Sequence, residues 1–290
     1  MSTYIFGWNG YLGKKIIDGL MIKNISVVKI GRNINSDIKV DLNFLNSDPN
    51  SNNNLNQGEL KSLLPGDKII FLASICNPTL CNESFDMAYN INVSKTRLLL
   101  KRFLDTGASV LFASSDVVYG NTEKAVNEKS EINPIYSYAE MKAEIESYFS
   151  THPNFFVMRM SNISSIQDNT LSYFFSCSKN NSKANVYHPF IRAPAHSSDL
   201  IDFICNFIQS ENSNFKKLTN ICGPSFVSNI ELAEIFSTNF PLNYEATTPD
   251  KAFLDSRPQK ILMQSLYFDK IIKRNKTNVL EQLDLDLKSI

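Results

Sequence analysis

The stretch STYIFGWNGYLGKKIIDGLMI, residues 2–22, runs one pattern into the next without a break. Ser2 to Phe6 is a short β-prone run, and Gly7-Trp8-Asn9-Gly10-Tyr11-Leu12-Gly13 follows directly. From Tyr11 to Ile22 apolar residues return at helical spacing, at Leu12, Ile16, Ile17, Leu20 and Met21. Strand, glycine turn, then helix is the context in which spaced glycines carry meaning. The first permits a tight turn, the second lets a pyrophosphate approach the backbone, and the third lets helix and strand pack closely. The helix N-terminus then faces the anion. The competing reading is an ordinary strand–helix turn that happens to be rich in glycine.

The rest of the first half repeats the alternation. Ser26 to Ile30 reads as a second strand, Ile38 to Leu42 as a third with Asp41 at its end, and Lys68 to Leu72 as a fourth. A long helix is expected from Glu83 to Leu104, in which an Asn facing the sheet would brace strand ends. A fifth strand at Ser109 to Ala113, a helix from Tyr136 to Phe149 and a sixth strand at Asn154 to Met160 follow. This rhythm predicts an α/β fold, a Rossmann-like doubly wound parallel sheet with its ligand crevice at the strand carboxyl ends. Gly31-Arg32-Asn33 closes the second strand. A carboxylate there would hold the ribose hydroxyls of NAD, whereas an arginine favours the 2′-phosphate of NADP over a merely solvated strand end. Ala73-Ser74, after the fourth strand, are small enough for a dinucleotide to lie against the backbone. The Asn-rich tract from Asn46 to Gln57 reads as a polar surface loop.

After Met160 the rhythm breaks. Val186 to Ala195 carries two prolines, Ser197 to Gln209 reads as a helix, and Leu218 to Cys222 as a short strand. Ser228 and Glu231 have the spacing of a capping box. The expected organisation is a dinucleotide-binding domain over residues 1–163 and a smaller C-terminal α/β substrate region over residues 164–290. Part of residues 190–215 is expected to pack back on the first domain.

Bulk properties exclude several classes of function. Lys plus Arg and Asp plus Glu number 29 each, which removes the argument for a nucleic-acid or membrane-surface binder. No apolar run has the length of a membrane span, and no basic-then-apolar leader opens the chain. Cys76, Cys81, Cys177, Cys205 and Cys222 are scattered, with no Cys-x-x-Cys pair. They read as reduced structural thiols of a cytoplasmic protein, with no metal site.

The chemistry is concentrated in LFASSDVVYGNTEKAVNEKSEINPIYSYAEMK, residues 111–142. The fifth strand ends in Ser114-Ser115-Asp116, and the next helix carries Tyr138 and Lys142 one turn apart on one face. A hydroxyl at a strand end, a phenol and an ammonium are the parts needed to move a proton onto or off a carbonyl oxygen.

Taken as an ordered set, these motifs resemble the extended short-chain dehydrogenase/reductase family of nucleotide-sugar epimerases, dehydratases and reductases. Gly7, Gly10 and Gly13 have its glycine spacing. Ser115 to Gly120 resembles its Ser-x-x-Val-Tyr-Gly segment, and Tyr138 with Lys142 its Tyr-x-x-x-Lys. Asn92 resembles its Asn-Val position, and Asp41-Leu42 its adenine-side turn. On the substrate side, Arg159-x-x-Asn162 is similar to the segment whose Asn contacts the nucleotide diphosphate. Arg192, His196 and Asp199 keep the spacing of the Arg-x-x-x-His-x-x-Asp segment, whose arginine holds phosphate, and Arg257-Pro258 resembles a second phosphate arginine. His196 itself reads as a packed structural residue. Phe6 before the first glycine, Trp8-Asn9 within the turn and Ala73-Ser74 in place of Ala-Ala depart from the family pattern.

The resemblance implies hydride transfer between a nicotinamide and C4 of a nucleotide-linked keto-sugar. Ser115, Tyr138 and Lys142 would be catalytic. Gly7, Asn9, Gly10, Tyr11, Leu12, Gly13, Arg32, Asp41, Leu42, Ala73, Ser74, Asn92, Tyr138 and Lys142 would bind the cofactor. Ser115, Asp116, Asn162, Arg192 and Arg257 would bind the substrate. Arg32 and a tail after Arg257 that is short for the family's 4-epimerases favour an NADPH-dependent 4-ketoreductase of the dTDP-4-dehydrorhamnose reductase type, serving surface polysaccharide or deoxysugar synthesis. The alternatives are an NAD-dependent 4-epimerase and a non-catalytic NADP-binding regulator. A homodimer built on the helices flanking the fifth strand is also implied.

Overall fold

The computed structural model of the chain describes residues 1–44 and 63–290. The Asn46 to Gln57 tract lies outside these residues. A seven-stranded parallel sheet forms the centre, built from β1 (Thr3–Phe6), β2 (Val28–Gly31), β3 (Ile38–Lys39), β4 (Lys68–Phe71), β5 (Ser109–Ser115), β6 (Phe155–Met160) and β11 (Leu218–Ile221). Its order is β11-β6-β5-β4-β1-β2-β3. The chain starts in the middle, builds outward to β3, then crosses back to β4, which is the doubly wound order of a dinucleotide fold. β1 and β4 are buried at every residue, as strands covered on both faces must be.

The expected strand at Ile38 to Leu42 is shorter, ending at Lys39. The Asp41 carboxylate accepts from the Asn43 backbone N–H at 3.0 Å and from the Asn43 side-chain amide at 3.0 Å. That local bond turns the chain into a 3₁₀ turn at Leu42–Phe44 instead of letting it pair further.

The helix expected from Glu83 to Leu104 is also divided. A first segment, Pro78–Glu83, is capped by the Asn77 side chain, and Phe85–Tyr89 follows a break at Ser84. A π-helical turn at Asn90–Lys95 then leads into Thr96–Asp105. Such turns insert one residue per turn and re-aim the side chains they carry.

The chain divides into two compact units. The first comprises Met1–Ser114, Tyr136–Met158 and Ile204–Leu218, and the second Ser115–Ile135, Arg159–Phe203 and Thr219–Ile290. In the first, one aromatic from each of four neighbouring strands lies in a row. Phe6 stacks on Phe71 (centroids 4.8 Å apart), Phe71 meets Phe112 at 6.1 Å, and Phe112 meets Phe155 at 5.9 Å. Phe6 pairs with Phe71, and Phe71 with Phe112, in strand register. The residue that departs from the family pattern ahead of Gly7 is therefore the first member of a cross-strand aromatic row.

The second unit carries three two-stranded sheets. Parallel β7 (Ile163–Ser164) and β10 (Ala195–His196) form one, and antiparallel β9 (Ile191–Arg192) and β12 (Val227–Ser228) another. Parallel β8 (Ala184–Tyr187) and β13 (Tyr244–Thr247) form the third. Phe174, Val186, Phe236 and Leu283 lie in its core. The Ser228–Glu231 capping box is present in full at the start of the Asn229–Asn239 helix. Among the described residues no helix is long and apolar enough to cross a membrane.

Candidate active site

The first unit holds the glycine turn and the Tyr-x-x-x-Lys helix. Gly7 has φ +90°, and a Cβ there would lie 2.7 Å from the Ala73 nitrogen. At Gly13 a Cβ would lie 2.5 Å from the Trp8 carbonyl oxygen, so the third glycine closes the turn against the helix Tyr11–Ile22. Gly10 differs: a Cβ would meet only the Gly7 carbonyl oxygen, at 3.6 Å, an ordinary contact. Nothing among the described residues requires a glycine at position 10. A bare backbone there suits the close approach of a group from outside, as a pyrophosphate requires. Asn9 is exposed at the tip of the turn, while Tyr11 and Leu12 are half-buried at the start of the helix.

The Trp8 indole N–H donates to Ser36 Oγ at 2.8 Å, and its ring edge lies where a Cβ on Gly31 would touch it at 3.5 Å. The indole therefore runs along the carboxyl end of β2. Lys29 Nζ stands 5.1 Å from its ring centroid, and Arg32 is exposed one residue past the strand. Sequence reasoning took Trp8 only as an odd residue between glycines and passed over Lys29. The signal was a bulky aromatic in a turn that otherwise favours small residues. Of the adenine-side pair, Asp41 is engaged with Asn43, and Leu42 belongs to the hydrophobic core.

Asn92 sits on the π-helical turn and is buried. Its amide oxygen accepts from the Ile75 N–H at 2.8 Å and from Ser74 Oγ at 3.1 Å, and its NH₂ donates to the Ile75 carbonyl at 2.9 Å. It clamps the segment after β4 from both sides of one residue. Its expected bracing role is thus seen directly, and it acts through the Ser74 hydroxyl and the Ile75 backbone.

Tyr138 and Lys142 lie on the helix Ser137–Tyr148. Lys142 is buried, its Nζ donating to the Ala113 carbonyl of β5 at 2.8 Å. The ammonium stands 4.7 Å from the Phe112 ring centroid and 5.5 Å from that of Tyr138. Burial pulls Lys142 down from 10.5 to about 8, against the opposing fields of Cys76, Glu146 and Cys81. With that value Lys142 carries its charge at neutral pH, one helical turn past the Tyr138 ring.

The second unit holds Ser115 and the residues expected on the substrate side. Ser115 ends β5 and caps a short turn at Asp116–Tyr119; its hydroxyl lies 3.3 Å from Asp116 Oδ1. Asp116 is buried, and burial raises its pKa while Arg192 opposes the rise. Arg192 Nε is 3.7 Å from Asp116 Oδ2. The same guanidinium donates to the carbonyls of Ile191 (2.8 Å), Gln259 (3.0 Å) and Pro258 (2.5 Å). Arg192 is therefore a clasp on the backbone beside Arg257, whose own guanidinium lies 3.6 Å from the Phe253 ring centroid. Asn162 is exposed, and its carbonyl accepts from the Ala195 N–H at 2.9 Å.

His196 bonds Ser198 Oγ at 2.8 Å and lies 3.5 Å from Asp286, a packed position as its pattern suggested. Tyr119 and Gly120 are structural. The Tyr119 hydroxyl accepts from buried Arg159 at 2.9 Å, and a Cβ on Gly120 would strike the Asn133 carbonyl at 2.4 Å.

The second unit also carries a cleft of about 380 Å³ that sequence reasoning missed. Its walls include Tyr173, Tyr187, Asn169, Asn185 and Asn229. These residues come from three elements, the Asn169–Lys179 helix, β8 and the start of the Asn229–Asn239 helix, so no single local pattern announces the cleft.

The family model described as the RmlD substrate binding domain matches residues 1–263. The chain belongs to this family. It is an enzyme of the NAD(P)-dependent, extended short-chain dehydrogenase/reductase type. No curated protein matches it in sequence. Among solved structures it is similar to the dTDP-4-dehydrorhamnose reductase of Bacillus anthracis in complex with NADP, at 18% identity and TM-score 0.78, over 98% of this chain and 97% of that one. The UDP-glucose 4-epimerase of Thermotoga maritima with UDP-glucose gives 15% identity and TM-score 0.77, over 99% and 98%. MoeE5 in complex with UDP-glucuronic acid and NAD gives 16% and 0.79, over 99% and 97%. At these identities the likeness is one of fold, and it is shared with a reductase and an epimerase alike.

Proposed function

We propose that the chain uses NADPH to reduce a nucleotide-linked 4-keto-6-deoxyhexose in surface polysaccharide or deoxysugar synthesis. Lys142 carries the reading: a buried ammonium, pinned to β5 at 2.8 Å and one helical turn past a tyrosine, has no need to be there for stability. The nicotinamide, when bound, supplies the hydride. Tyr138 gives its proton to the oxygen that becomes an alkoxide. Lys142 keeps a positive field beside the phenol, which lowers the cost of the phenolate left behind. Ser115 hydrogen-bonds the carbonyl oxygen and holds it in line.

The bare backbone at Gly10 and the clamped Ser74-Ile75 segment suit a dinucleotide, and exposed Arg32 favours one that carries a 2′-phosphate. Residues 1–163 are assigned to the dinucleotide, apart from Ser115, Asp116 and Asn162, which serve the nucleotide sugar together with residues 164–290. Arg192 serves by holding Pro258 and Gln259 beside Arg257, which takes a phosphate together with Asn162. The Tyr173–Tyr187 cleft, with aromatic walls and asparagine edges, suits a flat base with hydrogen-bonding rims. Exposed Phe85, Met87 and Tyr148, on the helices before and after β5, support a homodimer built on that face.

The test follows loss of nicotinamide absorbance with dTDP-, UDP-, GDP- and CDP-linked 4-keto-6-deoxyhexoses. Tyr138→Phe is expected to lower turnover by about 10³-fold while leaving NADPH binding intact. Quenching of Trp8, the single tryptophan, reports that binding. Interconversion of 4-epimers without net NADPH consumption would give the site to an epimerase, and binding without turnover on the whole panel to a regulator. Arg32→Ala should weaken NADPH about tenfold, or 1.4 kcal/mol, and leave NADH unchanged; equal loss of both would sink the 2′-phosphate reading.

A further inference from the structure

We propose, on the reading above in which Tyr138 and Lys142 transfer the proton, that Glu146 is a positioning residue for Lys142: a buried carboxylate, fixed by Ser114, that keeps the ammonium charged. Tyr138, Lys142 and Glu146 follow one another at intervals of four on the Ser137–Tyr148 helix, so the three share a face on successive turns. Glu146 is 8% exposed, Lys142 5% and Ser114 2%. Glutamate is rarely buried to this degree without a partner. Ser114 Oγ donates to Glu146 Oε1, while Lys142 Nζ donates to the carbonyl of the preceding residue, Ala113, at 2.8 Å. The two helix side chains thus grip consecutive residues of β5.

The titratable groups facing the ammonium are Cys76 from the segment after β4, Cys81 from the Pro78–Glu83 helix, and Tyr138 and Glu146 from its own helix; β5 contributes a carbonyl. A thiol opposes the loss of the lysine's proton only once it is ionised, which for a free cysteine occurs at about pH 8.5. Burial pushes the Cys81 thiol up further. Among the described groups that face the ammonium, Glu146 is thus the carboxyl group. The adjacent serines divide the work: Ser115 serves the substrate, and Ser114 anchors the carboxylate behind the lysine.

The test is the titration of Lys142 in the ligand-free protein labelled with [¹³Cε]lysine, its resonance identified by its absence in Lys142→Met. Glu146→Gln keeps the shape and the acceptor for Ser114 but removes the charge, and the midpoint is expected to fall by about one pH unit. Ser114→Ala should move it the same way by less. The Glu146→Gln shift should persist in a Cys76→Ser background. A midpoint unmoved by Glu146→Gln in a folded protein overturns the proposal, as does a shift that vanishes when Cys76 is replaced. If Glu146→Gln does not fold, an unmoved midpoint in Ser114→Ala overturns it instead. Where turnover is measurable, the alkaline limb of kcat moves with the midpoint and KM does not. An absence of turnover counts against the reductase reading alone, because the titration is read without substrate or cofactor.

Discussion

Lys142 in the first unit and Arg192 in the second are both cations withdrawn from water, and the chain treats them in opposite ways. Arg192 is met on several sides, by three backbone carbonyls and the Asp116 carboxylate. Its fork of donors suits that arrangement, and the charge becomes a clasp between segments. Lys142 has a backbone carbonyl, two ring faces and a set of fields around it, and part of its burial cost remains as a pKa drawn down to about 8. A saturated cation holds structure together; an under-compensated one keeps a lowered pKa, which the proposed proton transfer from Tyr138 would draw on. The cost of burying charge is similar in kind at both places, and only its disposal differs.

The strongest way to break this contrast is Lys142→Met. Turnover should fall by about 10³-fold. The folded protein, freed of a buried charge, should become more stable at pH 7 by about 2 kcal/mol, namely about 3 from the pKa difference less about 1 for the lost hydrogen bond. The sign follows from linkage. The unfolded chain keeps this proton to 10.5 while the folded chain gives it up near 8, so the wild type gains stability as pH rises between those values. The advantage of the variant should therefore fade over the same window, and wild-type reduction should slow as pH rises through about 8. Denaturant melts at pH 7 and 10 check the first statement, and a pH–rate profile the second.

Arg192→Gln tests the opposite member. It leaves Asp116 buried with fewer partners, and a loss of stability of about 3 kcal/mol is expected. A variant that melts with the wild type would mean that Arg192 is held for a ligand and not for the fold. The smallest effect separates two glycines of one turn. Gly13→Ala drives a Cβ into the Trp8 backbone and should cost about 2 kcal/mol of stability. Gly10→Ala should melt like the wild type but bind NADPH about tenfold more weakly. Calorimetry together with Trp8 quenching reads both.

Much of this was legible in the chain. The helix from Tyr11 to Ile22 and that from Ser197 to Gln209 begin and end where their spacing says, because their apolar positions keep a single period throughout. The long helix expected from Glu83 was not legible in full. Ser84 breaks it and the π-helical turn at Asn90–Lys95 re-registers it, and an apolar pattern averaged over several turns hides one inserted residue. At the site, Tyr138 and Lys142 are a local spacing and could be read as such. Glu146 followed at the same interval and passed unnoticed, since a glutamate on a helix is ordinarily a solvated one until its burial is known.

Amino-acid order alone determined the alternation of strand and helix, the glycine turn, and the placing of a phenol and an ammonium on one helical face, because each depends on neighbours a few residues away. Tertiary structure decided which charges are quenched and which are left poised. Ser114 meeting Glu146 and Arg192 meeting Pro258 are encounters between residues 32 and 66 positions apart. The dielectric and the partners around a buried charge are properties of such encounters, and no local pattern contains them.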